Sequence, residues 1–196
     1  EIRLSLVGSE MCIRDSYKPK QTRFGVVGPS MEERFRDLLY DGDTPIGYLT
    51  GLYAFNLFGL TTQHSSILEI GTNFPKRNTK RGIYAIRFVL QKNQICQDNI
   101  DMLRLLDCLK WIKKIPDTTV DKSYSLLKKK VREYEKEDHK QLVELALNYT
   151  PLTRALLGSM LTDELLVATL HQTLNPLTRF RIGLSPTLVS SQWNIQ

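Results

Sequence analysis

The chain has 196 residues, 41% of them hydrophobic and 24% charged, with a formal net charge of +6, enough to bury one substantial globular core. It has no run of about 18 apolar residues, and no basic start leads into an apolar stretch with a small-residue cleavage site, so nothing predicts a membrane span or an export signal and the expected compartment is the cytoplasm. Three cysteines, Cys12, Cys96 and Cys108, lack CxxC spacing, which argues against a disulfide framework or a zinc site and predicts buried, inert thiols.

In chain order, residues 1–16 fit poorly. Ile2, Leu4 and Leu6 have strand spacing, but Gly8-Ser9-Glu10 breaks it, and the remainder has neither helical nor strand periodicity. The stretch SLVGSEMCIRDS resembles a translated sequencing adapter, so residues 1–16 are expected to be a non-native, unpacked leader, with natural sequence starting near Tyr17. Ser30 followed by Glu33 is a capping-box pattern, and Phe35, Leu38 and Leu39 supply an apolar face, which predicts a helix over Met31–Tyr40 ended by Gly42. A second short helix is expected from Thr50 to Gly59, with Leu52, Phe55 and Phe58 facing the core. On either side of it, PIGYLTG and GLTTQ read as turn-forming segments.

SILEIG (66–71) and IYAIRFVLQ (83–91) are β-rich and read as an antiparallel pair joined by the basic loop TNFPKRNTKRG. Between Ile70 and Gln97 stand Lys76, Arg77, Lys80, Arg81, Arg87 and Lys92, and no acid. A one-signed stretch on a loop and its strand suits phosphate contact, although a solvated basic surface explains it equally well.

After Asp98 the pattern turns helical. Ile100, Leu103, Leu106, Leu109 and Ile112, with Met102 and Leu105 beside them, predict a central core helix that ends before Pro116. Tyr124, Leu127, Val131 and Tyr134 form a narrower stripe with Lys128 to Lys130 on its solvent side. YTPLTRALLG and LNPLTRFRIG repeat at a spacing of 25 residues, each with an N-cap (Thr150, Asn175) before a proline, so two side-by-side helix starts are expected. Arg154 and Arg179 fall in the first turn, where the helix dipole offers a cation nothing, so each should meet a carboxylate, a carbonyl or a partner.

No catalytic constellation stands out. His64, His139 and His171 are isolated, Gly158-Ser159-Met160 lacks the second glycine of a nucleophile elbow, and the basic loop lacks GxxxxGK[ST] order; no catalytic residue, metal or cofactor is assigned.

YKPKQTRFG (17–25), GPSMEERFRDLL, PIGYLTGLYAFNLFGLTTQ and ALNYTPLTRALLGSML (146–161) together resemble the AbiEi-like antitoxins of type IV toxin–antitoxin systems. The resemblance implies an α+β fold: residues 17–25 as the exit strand of an otherwise missing winged helix-turn-helix, then residues 26–196 as an antitoxin-type domain with a small antiparallel sheet and a helical C-terminal half. It implies a bacterial transcriptional autoregulator that acts in abortive phage infection, with operator DNA as partner of the full-length protein. Such proteins counter a nucleotidyltransferase-like toxin without forming a stable complex, and homo-oligomers are possible. The residues that carry the resemblance are Gly47, Tyr48, Thr50, Gly51, Thr61, Thr62, Gln63, Pro151, Thr153 and Arg154. From charge alone, Lys18, Lys20, Lys76, Arg77, Lys80, Arg81 and Arg87 are candidate nucleic-acid contacts. The alternative is an interaction or oligomerisation module built on the PLTR repeat and the C-terminal helices.

Overall fold

The computed structural model describes residues 20–22, 25–27 and 29–196; residues 1–16, expected to be a leader, and Lys18 lie outside the described residues. The chain divides into two compact units, Glu1–Arg36 and Asp37–Gln196. In the first, β1 (Lys20–Thr22) pairs antiparallel with β2 (Gly25–Val27), and Lys20 is a residue of β1. The helix α1 (Met31–Arg34) starts with the expected capping box: Glu33 N donates to Ser30 Oγ at 3.1 Å, and Ser30 N donates to Glu33 Oε2 at 2.7 Å.

The expected single helix over Met31–Tyr40 is broken. Phe35, at φ −116° and ψ 20°, ends α1, and a second turn of helix, α2, covers Arg36–Leu39. Tyr40–Asp41 (β3) then doubles back antiparallel on Thr44–Pro45 (β4). Gly42 therefore serves this two-residue hairpin loop at φ +60° instead of ending a helix.

The second unit is α+β. Its four-stranded sheet has the order β5-β6-β8-β7, formed by Gly47–Thr50, Ile67–Thr72, Tyr84–Leu90 and Thr79–Arg81 respectively. The expected antiparallel pairing of the two long strands is wrong: β6 and β8 run parallel. The basic connection itself contains a strand, β7, and the turn at Gly82 (φ +57°) closes a tight hairpin with β8. The hairpin occupies the outer side of β8, so β6 takes the inner side, and the two reversals, β6 to β7 and β7 to β8, make the two long strands parallel. PIGYLTG is likewise no turn. Gly47–Thr50 is wholly buried and pairs antiparallel with β6, because Tyr48, Leu49 and Thr50 suit a strand covered on both faces.

Strand alternation puts Tyr48, Thr50, Glu69, Gly71, Arg87 and Val89 on one face of the sheet, and Leu49, Leu68, Ile70 and Ile86 on the other, where all four are buried. The helix α3 (Leu52–Leu57) begins two residues later than expected and ends before Gly59, at φ +67°; Phe55 is buried, while Leu52 and Phe58 are half-buried against the core.

α4 (Ile100–Lys110) is the central helix the spacing predicts, with Met102 to Leu109 buried without a break. Around it lie α5 (Val120–Glu133), α6 (Lys136–Ala146), α7 (Pro151–Gly158) and α8 (Glu164–Gln172). Tyr124, Leu127 and Val131 are buried as expected and Tyr134 is half-buried. Lys129 and Lys130 are exposed, and Lys128 lies 5.5 Å over the Tyr124 ring.

The two PLTR copies diverge. The first forms α7, where Thr150 caps Thr153 N and Pro151 takes the first position. The second makes only an Asx turn, in which Leu177 N donates to Asn175 Oδ1 at 2.9 Å. Phe-Arg-Ile has replaced Ala-Leu-Leu there, and Phe180 pairs with Ile195 as a β-bridge instead. Of the described cysteines, Cys108 is buried but Cys96 is exposed, against expectation. Cys12 lies outside the described residues.

Candidate functional site

The tightest polar cluster centres on Asp107, placed by α4 in the midst of the apolar run Leu105-Leu106-Asp107-Cys108-Leu109. Its Oδ2 accepts from Thr50 Oγ1 at 2.6 Å and from the Tyr48 hydroxyl at 2.8 Å; its Oδ1 accepts from the Tyr149 hydroxyl at 3.0 Å. Gln91, just past β8, donates from Nε2 to both tyrosine oxygens at 2.8 Å. Its Oε1 accepts from Asn93 N at 3.0 Å, and Asn93 in turn reaches Leu145 O and Asn148. One carboxylate thus ties β5 to α4 and to the loop before α7.

Asp107 is buried, and that burial pushes its carboxyl above the ordinary carboxylate value, while Thr50, Tyr48, Tyr149 and the nearby Lys110 pull the other way. Tyr48 and Tyr149 are both pushed up, first by burial and then by the Asp107 charge, so both hydroxyls stay protonated and act as donors. Gly71 makes room for the arrangement. It pairs with Tyr48 across the strands, and a methyl group on it would lie 2.5 Å from the tyrosine Cε1.

Arg104, one turn before Asp107, makes a second tie. Its Nε donates to Leu49 O at 3.1 Å, and its guanidinium lies 5.5 Å from the Tyr53 ring centroid.

Of the residues that carry the resemblance, Tyr48 and Thr50 hydrogen-bond to Asp107, and Pro151 lines the adjoining cleft. Gly47 lies in the buried β5, and Gly51 starts α3 at φ +63°. Thr61, Thr62 and Gln63 lie past the far end of α3. Thr61 is buried and accepts from Gln63 N, Thr62 is exposed, and Gln63 Nε2 donates to Asp117 Oδ2 at 2.5 Å. Thr153 is fully buried with its hydroxyl 2.9 Å from that of Thr150; Arg154 is half-buried, and its buried Nε has no hydrogen-bond partner among the described residues.

The basic candidates are spread over both faces of the sheet. Arg87 and Lys80 lie on the Asp107 side by register, whereas Arg81 faces the other way and forms a two-point ion pair with Asp37 at 2.6 and 2.7 Å. Lys76 sits 5.7 Å over the Phe88 ring, and Arg77 is exposed in the loop.

Asp107, Gln91, Asn93 and Arg104 are absent from the sequence-based expectations. The available signal was the pair of charges, Arg104 and Asp107, set inside the apolar run from Met102 to Leu109. Compared with known proteins, the chain matches no family model, no curated protein and no solved structure.

Proposed function

We propose that the chain is the antitoxin-type domain of an AbiEi-like regulator: an antitoxin and transcriptional autoregulator of a type IV toxin–antitoxin system that acts by binding, without catalysis, in the bacterial cytoplasm. The observation that supports this reading is the convergence of two resembling segments, PIGYLTG and ALNYTPLTR, on the Asp107 carboxylate through Tyr48, Thr50 and Tyr149. These segments lie about a hundred residues apart in the chain, so what they share is a role in fixing the fold. All three hydroxyls are spent on one carboxylate, which suits a structural clamp better than a nucleophile and base. Operator DNA is then the partner of a longer chain carrying the winged helix-turn-helix.

The test is co-expression of the full chain with the nucleotidyltransferase-like toxin that this reading places in the same operon. Growth should recover without the two proteins co-purifying. Continued arrest with soluble chain present would reject the reading.

A second reading, an oligomerisation module, is favoured by Leu165 and Leu177, which are 80% and 87% exposed near the C-terminus. Solution mass that rises with concentration, and falls back in Leu165→Glu, would support it.

A further inference from the structure

Beside the Asp107 cluster opens a cleft of about 380 Å³, at the small end of metabolite sites. Its floor is polar and fixed in place. Tyr48, Gln91 and Asp107 are each more than nine-tenths buried, line the cleft, and are hydrogen-bonded to one another. Asn148, Thr150 and Pro151 form one wall, and Val89 adds an apolar side chain.

Lys92 and Lys110 also line the cleft, and neither is ion-paired among the described residues. Lys110 Nζ lies 5.0 Å from the Trp111 ring centroid and 6.0 Å from that of Tyr149. Aromatic faces attract an ammonium without neutralising it. The one carboxylate nearby, Asp107, already accepts three hydroxyl hydrogen bonds, which disperse its charge. The start of α7 at Thr150 and Pro151 adds the partial positive charge of a helix N-terminus to the same wall. The cleft therefore carries an excess of positive charge over polar donors, next to an apolar surface.

With Asp107 ionised the lining keeps a single net positive charge, and a phosphate ester, with three acceptor oxygens to a carboxylate's two, can meet both lysines and the start of α7 at once. We propose that the cleft binds a small phosphate ester of up to nucleoside monophosphate size, its phosphate held by Lys92 and Lys110 and its organic part against Val89 and Pro151. The proposal does not depend on the antitoxin reading, since binding and growth rescue fail or succeed separately.

The test is isothermal titration of the full chain at low salt with AMP, inorganic phosphate, acetate and a single-stranded dodecanucleotide. AMP should bind at one per chain, more tightly than phosphate, with acetate weakest. The Lys92→Gln/Lys110→Gln variant should weaken AMP binding at least tenfold with an unchanged urea midpoint. Should that variant fold poorly, Lys92→Gln alone, at an exposed position, should still weaken it about threefold. Three results would each overturn the proposal: AMP no tighter than acetate, AMP binding indifferent to the lysines, or lysine-dependent binding of the oligonucleotide tighter than that of AMP.

Discussion

Replacing Asp107 with alanine strips the acceptor from three hydroxyls at once. Tyr149 retains a second acceptor, Leu103 O at 3.3 Å, but Tyr48 and Thr50, which are 2% and 4% exposed, are left donating to nothing. Two buried donors left unsatisfied cost about 1–3 kcal/mol each. Relief from burying a charge and water entering from the cleft offset part of this, leaving a net loss of about 2–4 kcal/mol. Thr50→Val removes one donor and leaves the carboxylate two, so it should cost only about 1 kcal/mol. Urea titration followed by circular dichroism at pH 7 reads both. A cycle with Tyr48→Phe should show about 0.5–3 kcal/mol of coupling to Asp107→Ala. An Asp107→Ala midpoint equal to or above that of the wild type would refute the reasoning, because the carboxylate would then be a liability that the fold tolerates.

The same group sets a pH dependence. Because burial raises the Asp107 carboxyl above its ordinary 3.8, the native state holds that proton more tightly than the unfolded chain. The stability of the wild type relative to Asp107→Asn should therefore rise as pH falls from neutral through the native value and level off below about 3.8; a flat difference in paired urea titrations would contradict it. Gly71→Ala should cost about 1–3 kcal/mol, since the new methyl must displace a buried tyrosine ring, and thermal melts should show the loss. Gly158→Ala puts a methyl 2.1 Å from Trp193 Cη2, so it should release that buried indole and shift tryptophan emission to the red. Arg81→Ala breaks a pair whose side chains are 45% and 58% exposed, and should lower stability by no more than about 1 kcal/mol in the same melts.

Part of the helical half was legible where periodicity or a cap is strong: α4 reads directly from Ile100, Leu103, Leu106 and Leu109, and α7 from Thr150-Pro151, whereas α6 and α8 drew no expectation. The sheet was less so. Parallel pairing of β6 with β8 depends on the strand hidden in a polar loop, and Thr79-Lys80-Arg81 carries no apolar alternation to betray it. β5 was obscured by its glycines and threonine, which look like turn residues until Gly71 is seen to vacate the space that Tyr48 fills. The polar cluster was half visible. Tyr48, Thr50 and the segment around Tyr149 carried the family resemblance, but the acid they share sits in a different helix, and only the fold joins them. The second PLTR copy shows the converse: a shared cap and proline do not make a helix when Phe180 is drawn into a bridge with Ile195.

The most direct measurement is growth of cells that express the nucleotidyltransferase-like toxin that the proposed function calls for together with this chain, wild type or Asp107→Ala, at matched total expression. Wild type should restore growth, and Asp107→Ala should fail in proportion to its loss of folded protein. Persistent arrest with folded wild-type chain present would contradict the account.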